Sequence, residues 1–170
     1  MNVLIVIPGF PVNPDQIKGG VHSALANLLK GFVHLPIQIR VISFNRDIDS
    51  VIQKNIGNNI TIHYHPEGKW PHAVNFLLNG SKVVKEHIRS FNPAIVHFAM
   101  GGYILLTKFF GIEQRTQVMT VHGMAFREAK LKKKLKDKLV FYTNGWIEWL
   151  FCPKNIIHIS KYSRALFGEN

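Results

Sequence analysis

Short apolar runs alternate with longer segments of helical period along this chain. Residues 3–8 are continuously apolar, which is typical of a strand buried on both faces of a sheet. The runs 37–44 and 60–65 alternate and are rich in β-branched residues, so they predict two further strands. Similar short runs at 94–98, 116–121 and 155–160 bring the expected number of strands to six.

The segments between these strands have the spacing of amphipathic helices. Val21, Leu25, Leu28 and Phe32 recur on one helical face and predict a helix over about residues 20–33. A second helix is expected over about residues 72–90, stopped by the pair Asn92-Pro93. Strands separated by helices indicate βαβ units. We therefore predict an α/β fold, a Rossmann-like, doubly wound and mostly parallel sheet with helices on both faces.

Composition narrows the class of protein. The length of 170 residues suits one domain, and 46% hydrophobic with 18% charged residues is typical of a globular chain. No apolar run is long enough to cross a bilayer, and Cys152 is the single cysteine, so we expect a cytoplasmic protein without an intrachain disulfide. The net charge of +11 predicts anionic partners: phosphates, nucleic acid or an anionic membrane surface.

Ligands of an open parallel sheet bind beyond the carboxyl ends of its strands, and the first candidate there is the loop 8–20. Gly19 and Gly20 open the first helix, whose free N–H groups suit a phosphate-sized anion. An ordinary flexible connecting loop explains the same residues. The loop has neither the GxGxxG nor the GK[ST] pattern, which disfavours dinucleotide binding and Walker-type NTP hydrolysis.

Histidines supply the remaining candidates. His122 leaves the fifth strand and is followed by Gly123, so its imidazole is expected to face the crevice, whereas His97 at the end of the fourth strand is more typical of a structural residue. His63 and His65 share a strand face with His72 nearby, a pattern that suggests metal binding. No carboxylate or cysteine is spaced to complete such a site, and the sequence predicts none.

Four short segments follow one another along the chain: the first strand with PGFP, the helix opening KGGVH at 18–22, the strand NPAIVH at 92–97, and TVHG at 120–123. In this order they resemble the N-terminal domain of retaining family 4 glycosyltransferases of the GT-B fold. The segment ISKYS at 159–163 is similar to the one that closes such a domain.

The resemblance implies a two-domain enzyme in which residues 1–170 form the acceptor-side domain. The C-terminal donor-binding domain is absent from this chain, so the isolated fragment is expected to be inactive. By motif, Gly19 and Gly20 would approach the donor diphosphate or the acceptor, and His122 would contact the donor sugar near the reacting carbon. His97 and Gly123 complete the expected binding set. The TVHG segment ends in His-Gly where many members have His-Asp, which leaves any acidic partner of His122 unidentified.

The activity implied is transfer of a hexose from a nucleotide-sugar to a saccharide or lipid-linked acceptor, with retention of configuration, in cell-envelope polysaccharide biosynthesis. Neither a divalent metal nor another cofactor is expected. Two other functions stay open: a basic nucleic-acid-binding α/β domain, and a self-sufficient Rossmann-type enzyme acting on a phosphate ligand. The first has only the charge in its support.

The segment 126–151 is basic and aromatic, which is typical of a helix that lies on an anionic membrane. A core-packing helix with a solvated lysine face explains it equally, and Asn144-Gly145 is a potential helix break. Transferases of this kind often use lipid-linked acceptors, which favours peripheral contact with the inner face of the plasma membrane. The candidates for that contact are Lys132, Lys133, Lys134, Lys136, Trp146 and Trp149.

Overall fold

A single sheet organises the part of the chain that the computed structural model describes, namely residues 1–17, 19–68, 79–99, 116–122, 129–150, 153–161 and 164. Its strands are β1 (Asn2–Pro8), β2 (Gln38–Asn45), β3 (Ile52–Ile56), β4 (Ile60–Pro66), β5 (Ile95–Phe98), β6 (Thr116–Val121) and β7 (Asn155–His158). The helices are α1 (Gly20–Phe32), α2 (Ser81–Phe91) and α3 (Leu135–Leu150), with a 3₁₀ turn at Pro14–Gln16.

The strand order is β3-β4-β2-β1-β5-β6-β7, and every pairing is parallel except β3 with β4. β1 is central: its Ile5 lies opposite Val41 of β2 on one side and His97 of β5 on the other. The chain moves away from β1 in one direction through β2 and in the other through β5. The doubly wound α/β prediction is therefore confirmed, and the switch point that commonly binds ligands lies beside the end of β1.

Each face of the sheet carries its own apolar core. Leu25 and Leu29 of α1 pack with Ile5 on one face, which we call the α1 side. Val84 of α2 packs with Val6 on the other, the α2 side. This division follows from the two-residue period of β1, because adjacent residues of a buried strand point to opposite faces.

Several element boundaries differ from those expected. The antiparallel strand β3 was not predicted, because Gln53, Lys54 and Asn55 interrupt its apolar pattern and only Ile52 and Ile56 pack inward. The turn between β3 and β4 is confined to residues 57–59, where Gly57 has φ +61°. The predicted end of the second helix is confirmed, since Asn92 caps α2 in the left-handed conformation; the expected start at 72 lies outside the described residues.

The basic segment also differs from its prediction. Residues 129–131 are helical, but α3 begins only at Leu135, so the expectation of one helix over this segment is wrong. The suggested break is wrong as well, because α3 runs through Asn144 and Gly145. None of the helices in the described ranges is long and apolar enough to span a membrane.

Candidate functional site

The carboxyl ends of β1, β5 and β6 meet at one place. The Ala99 N–H, directly after β5, donates to the Val6 carbonyl of β1 at 3.0 Å. His122 follows β6, and its ring makes a hydrogen bond to the backbone of Ala99. These two contacts join three neighbouring strand ends and set His122 beside the central strand.

His97 lies beneath this junction on the α1 side, since it is paired in register with Ile5. The residue is 8% exposed, and its Nε2 lies 2.7 Å from the Thr120 hydroxyl oxygen. Burial, and to a smaller extent the charge on His122, lowers the pKa of His97 to about 4. β5 pairs with β6, and His122 follows Thr120 by two residues, so the structure brings His97 and His122 to the same end of two adjacent strands.

The imidazole of His122 is partly buried. Burial lowers its pKa, and the backbone hydrogen bond at Ala99 opposes that shift. His122 is thus a neutral ring at pH 7, able to donate to or accept from a hydroxyl or phosphoryl oxygen. Its described partner is a main-chain group rather than the carboxylate that a His-Asp ending would supply.

The N-terminus of α1 is open toward solvent. Gly19 occupies the N-cap with φ +84° and no side-chain cap, and the first turn carries no acidic residue. Among the described residues, no atom lies within 4 Å of a Cβ placed on Gly19 or Gly20. Because the first N–H groups of a helix lack intrahelical partners, this end offers donors and partial positive charge to an anion.

His22 fixes this helix end against β1, a role that the sequence did not reveal. Its Nε2 donates to the Pro8 carbonyl at 3.1 Å, and its ring meets Phe10 edge to face at 6.0 Å between centroids. The only signal in the sequence was its place two residues after Gly20 in the helix-opening motif. The glycines and the histidines therefore lie at the same end of the sheet, with α1 and His97 on the same side.

The loop after β1 is held by side chains from neighbouring strands. Ser43 accepts from the Phe10 N–H at 2.9 Å, and Asn45 donates to the Phe10 carbonyl at 2.8 Å. Tyr64 donates to the Pro11 carbonyl at 3.2 Å. The interpretation of this stretch as an ordinary flexible loop does not fit residues 9–11, which are tied to β2 and β4.

Some predicted site residues cannot be placed. Gly123, Lys18 and His72 lie outside the described residues, as does the side chain of Trp149. The residues that are placed offer neutral imidazoles and backbone donors. Such groups bind oxygen-rich ligands and stabilise developing negative charge, and they supply no nucleophile of their own.

The described part of 126–151 presents an exposed surface. Lys133, Lys134 and Lys136 are exposed, and Lys132 is partly buried with its Nζ 4.3 Å from the centroid of the Phe141 ring. Large apolar side chains beside them are also exposed, with Trp146 at 54%. We call the following set the basic-apolar surface: Lys132, Lys133, Lys134, Leu135, Lys136, Leu139, Trp146 and Leu150.

The fold is a Rossmann-like α/β domain of the kind found in GT-B glycosyltransferases. Among solved structures it is similar to sucrose-phosphate synthase from Thermosynechococcus elongatus, with a TM-score of 0.76 and 9% sequence identity. The match covers 99% of this chain and 44% of that protein, so the chain spans less than half the length of this neighbour. No family model matches the sequence, and no curated protein matches it either. At this identity the likeness shows the fold alone, and membership of family 4 stays a prediction.

Proposed function

We propose that this chain is the acceptor-side, N-terminal half of a retaining family 4 glycosyltransferase. The enzyme would transfer a hexose from a nucleotide-sugar to a saccharide or lipid-linked acceptor, in cell-envelope polysaccharide biosynthesis. One observation carries the proposal. The N-terminus of α1, which has no side-chain cap, lies with His97 and His122 at the same end of the sheet, at the switch point of a glycosyltransferase-like fold.

The chemistry of these groups suits the departure of a nucleoside diphosphate. Negative charge develops on the leaving diphosphate, and the amides at Gly19 and Gly20 with the α1 dipole would stabilise it. His122 would contact sugar hydroxyls beside the reacting carbon, and Gly123 would continue that contact. His97 would position His122 through the shared junction at Thr120 and Ala99. Transfer by this route needs no divalent metal and no cofactor.

The proposed division of labour places the donor nucleotide mainly on a second domain that faces the described strand ends. The 44% coverage of the similar synthase supports this division. The isolated 170-residue chain should then transfer no sugar. Turnover by the chain alone would instead support the alternative of a self-sufficient enzyme acting on a phosphate ligand.

The residue-level test is His122→Ala in a protein that carries both domains. Transfer from a panel of nucleotide-sugars to a membrane-derived acceptor should fall about 100-fold, because one preorganised polar contact to the reacting sugar is lost. His34→Ala changes an exposed histidine and is the matched control. An unchanged rate for the folded His122→Ala protein removes this residue from the site.

We propose further that the protein contacts the inner face of the plasma membrane through the basic-apolar surface. The exposure of Trp146, Leu139 and Leu150 beside lysines supports this contact over packing in the domain core, because a core helix would bury these side chains. Lysines at the headgroups and aromatic rings at the interface are the usual arrangement of such helices.

Flotation with anionic liposomes tests the membrane contact. Replacing Lys132, Lys133, Lys134 and Lys136 by glutamine should weaken partitioning about 100-fold, since each lysine adds to the attraction. The matched control removes the same charge from exposed positions elsewhere, through glutamine at Lys30, Lys82, Arg89 and Lys154. Equal loss in both variants would mean that net charge alone drives binding. Tight, steeply salt-dependent binding to duplex DNA without flotation would favour the nucleic-acid alternative.

A further inference from the structure

Three histidines converge on the α2 side of the sheet, apart from the candidate transfer site. His63 and His65 project from β4, and His87 projects from α2 above them. Each offers a ring nitrogen, and these three atoms lie within 4.8 Å of one another. The Nε2 atoms of His65 and His87 are 3.0 Å apart, and the rings of His63 and His87 are 4.7 Å apart between centroids.

Regular elements hold all three side chains in place. The two-residue spacing on β4 puts His63 and His65 on one face, and their strand is fixed by parallel pairing with β2. The third residue comes from α2, which is anchored by the fully buried Val84 three residues before His87. Sites built on strands and helices keep their geometry better than sites built on loops.

We propose that His63, His65 and His87 bind one late first-row divalent metal ion, with zinc the expected occupant. Three imidazoles with an open fourth position form a well-established zinc ligand set. Tetrahedral Zn–N bonds of about 2.0 to 2.1 Å require nitrogens roughly 3.3 Å apart. The His65 and His87 nitrogens are 3.0 Å apart, and all three lie within 4.8 Å, so side-chain rotation is needed to complete the site.

Arg40 competes with the metal. Its Nη1 lies 3.3 Å from Nδ1 of His87, and because a guanidinium only donates, Nδ1 accepts and the ring proton resides on Nε2. That proton points at Nε2 of His65. A metal on Nε2 of His87 moves the proton to Nδ1, so the Arg40 contact must open. Arg40 then keeps its bond to the Ser90 hydroxyl at 3.0 Å and its position over the Phe91 ring.

The metal site is independent of the proposed glycosyl transfer. β2 separates β4 from the central strand, and His97 lies on the opposite face of the sheet from the three histidines. A metal held here would join the β3–β4 edge to α2. We therefore treat it as a link between these two elements, distinct from any metal at the transfer site.

Metal titration of the chelator-treated 170-residue chain tests the assignment. Zn²⁺ measured by competition with a chromophoric chelator should bind at one equivalent, and Co²⁺ should give the intense visible bands of a four-coordinate site. His63→Gln, His65→Gln and His87→Gln should each weaken Zn²⁺ binding at least about 100-fold. The matched control His34→Gln, at an exposed position, should leave affinity unchanged.

Arg40→Gln separates this site from adventitious binding. Removing the positive charge of Arg40 should strengthen Zn²⁺ binding about tenfold. Zn²⁺ bound to a histidine elsewhere on the surface would not respond to this substitution. Should a histidine variant fail to fold, the Co²⁺ spectrum of the unaltered chain decides the question. Absence of one-equivalent binding, an octahedral Co²⁺ spectrum, or equal loss in His34→Gln and the cluster variants would overturn the proposal.

Discussion

Burial suppresses protonation of several histidines in this domain, His87 and His97 most strongly. The pKa of His97 falls to about 4 and that of His87 to about 3, in both cases mainly because the ring is removed from water. An unfolded chain protonates these rings near their ordinary value of about 6.5. Between the two values the unfolded state binds more protons, so stability is complete above about pH 6.5 and is lost as pH falls toward the folded pKa.

His97 allows this linkage to be measured. Between about pH 7 and about pH 4.5 its depressed pKa should cost on the order of 2 kcal/mol of unfolding free energy. Urea denaturation of the unaltered chain should show that loss, whereas His97→Gln, which keeps a hydrogen-bonding group near Thr120, should show a loss smaller by about that amount. Identical pH dependence in the two proteins would contradict the assigned burial of His97.

Single residues also show what the sequence could reveal of the sites. His97 and His122 were identified because each stands at the end of a strand, and parallel strands end at one edge. His87 was missed because its partner His65 is 22 residues away, and the rotation of a packed helix decides which side chain faces the strand. His72 was considered only because it is close in sequence, which is no guide to contact across an element.

At the scale of elements, the loop that connects α1 to β2 is held in place by the turn between β3 and β4. The Asn59 amide donates to the carbonyls of Phe32, Leu35 and Ile37 at 2.9, 3.1 and 3.0 Å. Gly57 in the same turn has φ +61°, and a Cβ there would lie 2.8 Å from Cγ1 of Val33. The β3–β4 turn therefore closes over the end of α1.

Alanine at two glycines should have opposite effects. Gly57→Ala should destabilise the domain by about 1–3 kcal/mol, since it combines left-handed strain with a clash. Gly31→Ala, within α1 and with open space around its Cβ, should stabilise it by about 0.5–1 kcal/mol. Urea midpoints measure both. Equal and small effects would mean that the turn relaxes freely.

Some elements could be predicted because the pattern of their own residues determines them, whereas others depend on the elements that pack against them. α1 matches its predicted range because its apolar spacing and opening glycines agree. β3 forms although its own residue pattern does not predict a strand. Its polar residues have low strand propensity, and pairing with β4 supplies the backbone hydrogen bonds that hold it extended. α3 continues through Asn144-Gly145 because a weak local break is insufficient to end a helix.

For the molecule as a whole, β1 joins the two cores into one folding unit. Leu4 faces the α2 side and Leu29 of α1 packs on the other side, and both are fully buried. Since β1 contributes to each core, loss of packing on either face weakens the strand on which the other face depends.

Unfolding should therefore be a single transition, however the domain is destabilised. Leu4→Ala and Leu29→Ala should each lower stability by about 2–5 kcal/mol through the cavity that each creates. Circular dichroism and tryptophan fluorescence should report the same midpoint for each variant. Leu131→Ala, at a residue that is 82% exposed, is the control and should change little. Separate transitions in one variant would show that the cores fold independently.

The central position of β1 also has a consequence for biosynthesis. Its partner β2 starts at Gln38, but its other partner starts only at Ile95. Once residue 66 has left the ribosome, four of the seven described strands can assemble as β3-β4-β2-β1, with the uncharged strand NVLIVIP at the exposed edge. Such an edge strand readily pairs with other nascent chains. A ribosome that pauses before Ile95 would thus leave an aggregation-prone intermediate exposed, and binding by a chaperone would be needed most in that interval.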